Sequence, residues 1–241
     1  MTSRLDRYLA AGGERSRSDA GKLLRAGLVR VDGFVERNPA RKVDPNAQAI
    51  TVAGEAVADR RLQYYLLHKP AGVLTAARDS RAATVMSLLP DVFPRRKVFP
   101  VGRLDKDTTG LLLLTNDGEL AHRLLSPRRH VLKEYHAWVR GRLTQEDVRA
   151  FRLGISLSDF TAEPAELRIV SASPEKSLGV LLLREGKFHQ VKQMFSARSH
   201  TVLQLHRAAF GPLRISADLS EGAWRELSSE EIEALRQAGE G

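Results

Sequence analysis

The residue with the clearest chemical potential is Asp105, which lies in a polar loop directly before the apolar run 111–115. A run of this length predicts a buried strand, so a rigid element would hold the loop while the carboxylate still reaches a cleft. A carboxylate so placed can act as a nucleophile or stabilise a developing positive charge. On this pattern alone, a loop aspartate paired with an arginine or lysine is the more ordinary explanation.

The elements around this loop have recognisable boundaries. Asn116–Gly118 is a turn in which Asp117 can cap a helix over 119–125, and Ser126-Pro127 ends that helix. Thr144, with Asp147 three residues later, opens a helix that ends near Leu153. Further strands are predicted over 64–67, 134–139, 165–170, 179–183, 203–210 and 213–215, one or two helical turns over 84–89, and a terminal helix within 221–241.

Composition narrows the class of protein. The chain has 241 residues, 38 basic and 29 acidic, so its net charge of +9 favours an anionic partner such as nucleic acid, although a solvated basic surface explains the charge equally well. The absence of cysteine excludes disulfides, thiolate zinc sites and cysteine nucleophiles. No apolar run approaches 18 residues and the N-terminus lacks an apolar signal core, which predicts a soluble cytoplasmic protein without a membrane partner.

The first 60 residues read as a small α+β unit. Leu5 and Leu9 share one face of a short helix, Ser18 is the expected cap of a second, and Gly27 ends that second helix. A strand follows over 28–31, and Asp32-Gly33 is a hairpin turn signal. A polar segment at 58–62 is the expected linker, which gives domains of 1–60 and 61–241.

Basic side chains concentrate on this helix pair and could contact RNA phosphates, although a solvated helix face accounts for them as well. A second basic loop, Arg95-Arg96-Lys97, precedes the central stretch. The basic residues of the helix pair are Arg4, Arg7, Arg15, Arg17, Lys22 and Arg25.

The central segment GRLDKDTTGLLLLTNDG resembles the signature of the pseudouridine synthases, in particular the RsuA type and its large-subunit relatives. The resemblance implies that Asp105 is the nucleophile. A later stretch, EGKFHQVKQMF, is similar to the family motif EGRxHQVKRMF, with Lys187 replacing Arg and Gln193 replacing a basic residue. This likeness implies that Lys192 is the cation that keeps the carboxylate ionised. HKPAG resembles the family's NKPxG with His68 in place of Asn, which leaves the role of position 68 open.

The family reaction breaks the N1–C1′ bond of uridine, rotates the freed uracil and joins C5 to C1′. Reactant and product contain the same atoms, so no cofactor and no metal are expected. The target base must be flipped out of folded RNA. By resemblance Tyr135, in the KEY segment, stacks on the uracil or accepts the C5 proton, and Arg103 fills the vacated stack unless it only pairs with Asp107. The remaining substrate-binding candidates are Leu104, Lys187, Gln190 and His189, the last as a hydrogen-bonding scaffold.

The first segment resembles an S4 RNA-binding domain through RSDAGKLLRAG and VRVDG, which implies RNA contacts by Arg4, Arg17, Lys22 and Arg25. The expected fold is α+β: an S4 domain joined to a synthase domain with a mainly antiparallel mixed β-sheet and flanking helices. The expected partner is ribosomal RNA or a ribosome assembly intermediate, bound by a monomer. HQVK followed by Leu205-His206-Arg207 favours the small-subunit 16S target. A 23S enzyme and a non-catalytic assembly factor are the alternatives.

Overall fold

The computed structural model describes residues 2–11, 15–45, 47–57, 62–90, 93, 97–126, 129 and 131–240. The chain forms two compact units, Met1–Gln63 with Pro90–Val98, and Tyr64–Leu89 with Phe99–Gly241. The expected boundary between residues 60 and 61 lies outside the described residues, as do Arg95 and Arg96. The units differ from the predicted domains in two respects: the first unit continues to Gln63, and the segment 90–98 groups with it. Within the described ranges, no helix is both long and apolar enough to cross a membrane.

The first unit packs two short helices on a small antiparallel sheet. Helices α1 (Leu5–Ala10) and α2 (Arg17–Arg25) contribute Leu5, Leu9 and Leu24 to a core that also contains sheet residues. The strands are β1 (Ser3–Arg4), β2 (Val29–Val31), β3 (Phe34–Val35), β4 (Lys42–Val43), β5 (Ile50–Val52) and β6 (Glu55–Ala56); β1 pairs with β4, and the others form a sheet in the order β3-β2-β5-β6.

Two local predictions in this unit have different outcomes. The Asp32-Gly33 turn is confirmed, because both residues have the positive φ (53° and 83°) that a tight hairpin requires. The prediction that Ser18 caps α2 is wrong. The cap is Ser16, whose Oγ accepts a hydrogen bond from the Asp19 amide at 3.1 Å while the Asp19 carboxylate accepts one from the Ser16 amide. This reciprocal capping box starts the helix earlier.

A nine-stranded mixed sheet forms the centre of the second unit within the described residues. Its main path runs β11-β12-β10-β13-β9-β7-β15, with β14 paired to β13 and β8 paired to β9. Every pairing is antiparallel except β13 with β9, which agrees with the predicted mainly antiparallel mixed sheet. The strands are β7 (Tyr64–Lys69), β8 (Phe99–Pro100), β9 (Thr109–Thr115), β10 (Lys133–Arg140), β11 (Glu166–Ala172), β12 (Lys176–Leu183), β13 (Val202–Phe210), β14 (Leu213–Arg214) and β15 (Trp224–Glu226).

Helices cover this sheet. Asp117 and Thr144 cap α3 and α4, as predicted, and a 3₁₀ turn occupies Val85–Leu88 where helical turns were expected. Leu120 of α3 and Leu235 of α6 belong to one buried cluster with the sheet residues Leu111 and Leu113. The helices are α3 (Gly118–Leu125), α4 (Gln145–Leu153), α5 (Gln190–Ala197) and α6 (Ser229–Glu240).

The single parallel pairing brings two distant segments together beside the Asp105 loop. Thr109 and Gly110 of β9 lie opposite His206 and Arg207 of β13. Gly110 has a φ of +113°, and a Cβ there would come within 2.3 Å of the Arg207 carbonyl oxygen. Only glycine permits this approach, so the glycine directly after Thr109 is needed to start the central strand in this register.

Candidate active site

All eight candidate residues of the second unit line one pocket. The pocket wall combines the 102–108 loop, the start of β10, the loop before α5 and the end of β13. These segments are far apart in the sequence, and the sheet brings them together. The eight residues are Arg103, Leu104, Asp105, Tyr135, Lys187, His189, Gln190 and Lys192.

Lys192 bridges two carboxylates at this pocket. Its Nζ lies 3.1 Å from Oδ2 of Asp105 and donates to Oδ1 of Asp107 at 2.6 Å. The hydrogen bond from Lys192 lowers the pKa of Asp107. Burial works to lower the pKa of Lys192, but hydrogen bonds to Asp107 and Asp105 outweigh it and leave that pKa raised. The ammonium is therefore held charged beside Asp105, and the second carboxylate is a partner that the sequence did not indicate.

His189 contacts the other oxygen of the same carboxylate. Its Nε2 lies 3.5 Å from Oδ1 of Asp105, so the two oxygens of Asp105 face different nitrogens. His189 adopts a left-handed conformation (φ 50°, ψ 20°) at the start of α5. This conformation is uncommon for a residue with a side chain and directs the chain sharply into the helix.

A fully buried lysine holds the loop that carries Asp105. Lys69, at the end of β7, has no solvent exposure and donates to the carbonyl oxygens of Pro70, Lys106 and Thr108 at 3.0, 3.2 and 2.8 Å. Burial lowers the pKa of Lys69 to about 8, although Asp107 and Asp105 act in the opposite direction. Two of these carbonyls flank Asp107, so the ammonium fixes the loop backbone from inside.

Thr75 fixes the other side of the same loop. Its buried hydroxyl donates to the Leu104 carbonyl at 2.8 Å and accepts from the Leu104 amide at 3.2 Å. Leu104 is itself buried against the pocket wall. The Thr75 hydroxyl therefore bonds to both the amide and the carbonyl of Leu104, the residue directly before Asp105. Neither Lys69 nor Thr75 was predicted from the sequence; the Lys-Pro turn next to position 68 was the only signal for the lysine.

Tyr135 forms the wall opposite this loop, on β10 as predicted. Its ring is largely buried, and within the described part of the chain its phenol has no hydrogen-bond partner. Arg207 lies opposite Tyr135 on β13 and donates from Nε to the Leu111 carbonyl at 2.8 Å. Lys133 donates to the carbonyls of Val131 and Arg184, and burial lowers its pKa to about 8. Lys133 and Arg207 add two pocket cations that were not among the candidates.

Lys187 and Gln190 brace their own loop. Both ends of the buried Gln190 amide are occupied: Oε1 accepts from the Lys187 amide at 2.9 Å, and Nε2 donates to Glu185 at 2.6 Å. The Lys187 ammonium pairs with Glu185 at 2.8 Å and lies 3.7 Å from the Phe160 ring centroid. These contacts hold the Gln190 side chain in place at the pocket, and its predicted contact with substrate stays a prediction.

Arg103 behaves differently from its neighbours. The residue is exposed at the pocket edge, and Asp107, its expected alternative partner, binds Lys192 instead. Within the described residues Arg103 has no ion-pair partner. Its guanidinium is therefore available at the mouth of the pocket.

The candidates in the first unit divide into paired and unpaired cations. Arg4 pairs with Asp6 through two hydrogen bonds of 3.1 and 3.0 Å, and Arg17 lies 3.5 Å from the same carboxylate. Lys22 pairs with Asp19 at 2.9 Å. Arg25 is exposed and has no ion-pair partner within the described residues. A concave surface gathers Thr2, Ser3, Arg4, Arg7, Arg17 and Lys42, of which Lys42 was not expected.

Comparison with known proteins identifies relatives of both units. Residues 63–197 match the family described as RNA pseudouridylate synthase, and residues 3–48 match the S4 domain. The chain is 38% identical to the ribosomal small subunit pseudouridine synthase A of Pseudomonas aeruginosa, over 95% of this chain and 98% of the relative. It is 37% identical to the ribosomal large subunit pseudouridine synthase B of Bacillus subtilis, over 97% and 95% of the two chains. A solved structure described as a pseudouridylate synthase superposes with a TM-score of 0.67 at 32% identity, covering 96% of this chain and 99% of that one.

Proposed function

This chain belongs to the RNA pseudouridylate synthase family, and we propose that it isomerises one uridine of small-subunit 16S ribosomal RNA. The observation that carries the proposal is the Asp105–Lys192 pair, 3.1 Å apart in a pocket that Tyr135 also lines. Binding alone does not require a carboxylate held between a lysine and a histidine at the base of a cleft. The site therefore favours an enzyme over the alternative hypothesis of a non-catalytic assembly factor.

In the proposed reaction, Asp105 attacks C1′ of a flipped-out uridine. An ester bond forms between the carboxylate and C1′, the N1–C1′ bond breaks, and its electron pair stays on the uracil. The uracil rotates until C5 faces C1′. The C5–C1′ bond then forms as the ester bond breaks and returns the carboxylate. One proton leaves C5 and one is gained at N1, so the atoms balance without a donor.

Each side chain has a proposed part in these steps. Lys192 stabilises the ionised carboxylate before attack and after its release, since its charge lies 3.1 Å away. The Tyr135 ring stacks on the uracil, and its phenol is the candidate acceptor for the C5 proton. Arg103, exposed at the pocket mouth, fills the gap that the extruded base leaves in the RNA.

The first unit is proposed to supply affinity rather than chemistry. Its exposed cations, with Lys42 and Arg7 beside the predicted Arg4 and Arg17, suit contacts to an RNA backbone. The S4 match supports this role. The domain limits proposed for the two functions remain 1–60 and 61–241.

The 16S target rests on the HQVK form of the motif that contains Lys192. The large-subunit enzyme from B. subtilis matches almost as well as the small-subunit relative, so 23S rRNA is the second candidate target. The two candidate targets differ in which ribosomal RNA would carry the pseudouridine, 16S or 23S.

Mapping pseudouridine in both ribosomal RNAs of a strain that lacks this gene tests the proposal. We expect one 16S position to revert to uridine, with recovery by the wild-type gene and no recovery by Asp105→Asn. A lost position in 23S rRNA alone would move the target to the large subunit. Unchanged pseudouridine in both RNAs would overturn the ribosomal assignment, and an assembly defect without any lost modification would favour the assembly factor.

A further inference from the structure

Phe188 is an exposed aromatic residue in the loop between β12 and α5, where it does not pack against the sheet. It is 72% exposed and lies between two pocket residues, Lys187 and His189, without lining the pocket itself. An exposed phenylalanine adds almost no buried apolar surface to the fold. Neither core packing nor the pocket wall therefore explains why position 188 carries an aromatic side chain.

One face of the Phe188 ring is already covered. Its centroid lies 3.7 Å from that of His189, with the two planes inclined by 21°, which is a stacked arrangement. His189 in turn contacts Asp105 at 3.5 Å. The two stacked rings therefore extend outward from the candidate nucleophile, and the outer face of Phe188 is open.

The loop that presents this ring is held in place. Glu185 accepts from the Glu163 amide at 3.0 Å and from Gln190, and the Lys187 ammonium lies over Phe160. The left-handed backbone of His189 fixes the entry into α5 directly after Phe188. A braced loop keeps an exposed ring in one position, and such a ring loses little entropy when a planar partner binds.

We propose that Phe188, backed by His189, is a stacking platform for the nucleobase next to the target uridine. This inference rests on the proposed function and adds a binding subsite to it. A flipped base would occupy the pocket beside Tyr135, so a base outside the pocket must belong to a neighbouring nucleotide. An aromatic face beside a basic pocket is the arrangement by which proteins hold unpaired RNA bases, and it tolerates any base.

Four variants of the full-length chain separate stacking from simple apolar contact. Phe188→Leu keeps an apolar side chain but removes the aromatic face, Phe188→Ala removes both, and Phe188→Tyr and Phe188→Trp keep the face. We expect Leu and Ala to raise KM for the rRNA fragment by roughly tenfold while kcat stays within about twofold, and Tyr and Trp to stay near wild type. Leu153→Ala is the matched control, because Leu153 is 82% exposed in the same unit and does not line the pocket.

A binding measurement decides the same question without turnover. The probe is the rRNA fragment with 2-aminopurine on either side of the target uridine, and its fluorescence should be quenched by wild type and by Phe188→Tyr but not by Phe188→Leu. If Phe188→Leu matches wild type in both KM and quenching, the platform is wrong. If wild type quenches the probe but forms no pseudouridine, the proposed function fails, while Phe188 remains a stacking site for an RNA base.

Discussion

The two basic regions of this protein hold their cations in different ways. In the first unit the side chains of Arg4, Arg17 and Lys22 are 48%, 60% and 68% exposed, and their partners are acids on the same helix pair. In the second unit Lys69 has no exposure and donates to three backbone carbonyls, two of which belong to the loop that carries Asp105. Exposed pairs of the first kind contribute little to stability, whereas a buried donor is costly to remove.

This difference separates two tasks. A phosphate backbone offers a charge every few ångströms, so a long, solvated side chain meets one without exact placement. A nucleophile must reach a single carbon atom, and misplacement by about 1 Å can cost on the order of 100-fold in rate. The cations of the first unit should therefore contribute additively to RNA affinity. The contacts that hold Asp105 in the second unit should depend on one another in their effect on the rate.

The largest expected effect is that of Asp105→Asn, which removes the proposed nucleophile without changing its size. Turnover should fall by roughly 10³-fold or more, while RNA affinity stays nearly intact because the phosphate-binding cations are untouched. Tritium release from C5-labelled uridine and a filter-binding titration measure the two quantities. Appreciable turnover by this variant would remove Asp105 from its proposed role.

A smaller but more informative effect is expected for Lys192→Met. Loss of the ammonium should slow the single-turnover rate by roughly 10²-fold, because Asp105 loses the positive charge that lies 3.1 Å from its carboxylate. The pKa of Asp107, which Lys192 now lowers, should rise in the same variant. Lys176→Met, on an exposed strand position outside the pocket, is the control. A single-turnover rate equal to that of wild type at saturating RNA would mean that Lys192 does not act on Asp105.

The additive behaviour of the first unit is tested by Arg7→Gln with Arg25→Gln. Both cations are exposed and lack an ion-pair partner within the described residues, so each lost phosphate contact should reduce the log–log salt slope by about 0.7 to 0.9. The turnover number at saturating RNA should not change. Lys22→Gln is the comparison, because Lys22 is already paired with Asp19 and should change the slope less. Equal slopes for the wild type and the double variant would show that these arginines do not contact RNA.

The smallest expected effect is on acid stability and is confined to the second unit. Burial, with His68 and His136 nearby, lowers the pKa of His206 from 6.5 to about 4. The unfolded chain therefore binds more protons between these values, and folding stability should decrease as pH falls through this range. Residues 1–63 and 90–98 contain no histidine, so the first unit lacks this dependence.

His206→Gln can still bond to Thr109, which now lies 2.9 Å from the imidazole Nδ1. Urea unfolding at pH 7 and pH 5 should show a smaller loss of stability in this variant than in wild type. His122→Gln, an exposed position on α3, should behave as wild type. The same loss in all three proteins would assign the acid sensitivity to other groups.

Much of the fold could be predicted because its signals are local. The Asp117 and Thr144 caps, the Asp32-Gly33 turn and the apolar central strand are each specified within a few residues. Several short strands were missed, since two or three residues carry no periodicity: β1, β4, β5, β6, β8 and β15. Ser18 was chosen over Ser16 because both are cap formers and only the partner carboxylate distinguishes them.

Site residues could be predicted where they belong to a sequence motif. Residues that act through long-range contacts with the backbone could not be predicted. The motifs identified Asp105, Tyr135 and Lys192 as candidates, and all three line one pocket. Lys69 and Thr75 hold the loop through backbone atoms of residues 29 to 39 positions away, and backbone partners leave no pattern in a sequence.

The parallel pairing of β9 with β13 also sets when the site can exist during folding. Thr109 and His206 bond across a separation of 97 residues, and Lys192 reaches Asp107 across 85. Contacts of such high sequence separation must first close a long loop, so we expect them to form late in folding. A chain still emerging from the ribosome, or one truncated before β13, contains α1 and α2 but lacks the pocket residues Leu205, Arg207 and Phe210. It has no assembled pocket, so modification begins only after the whole second unit has folded.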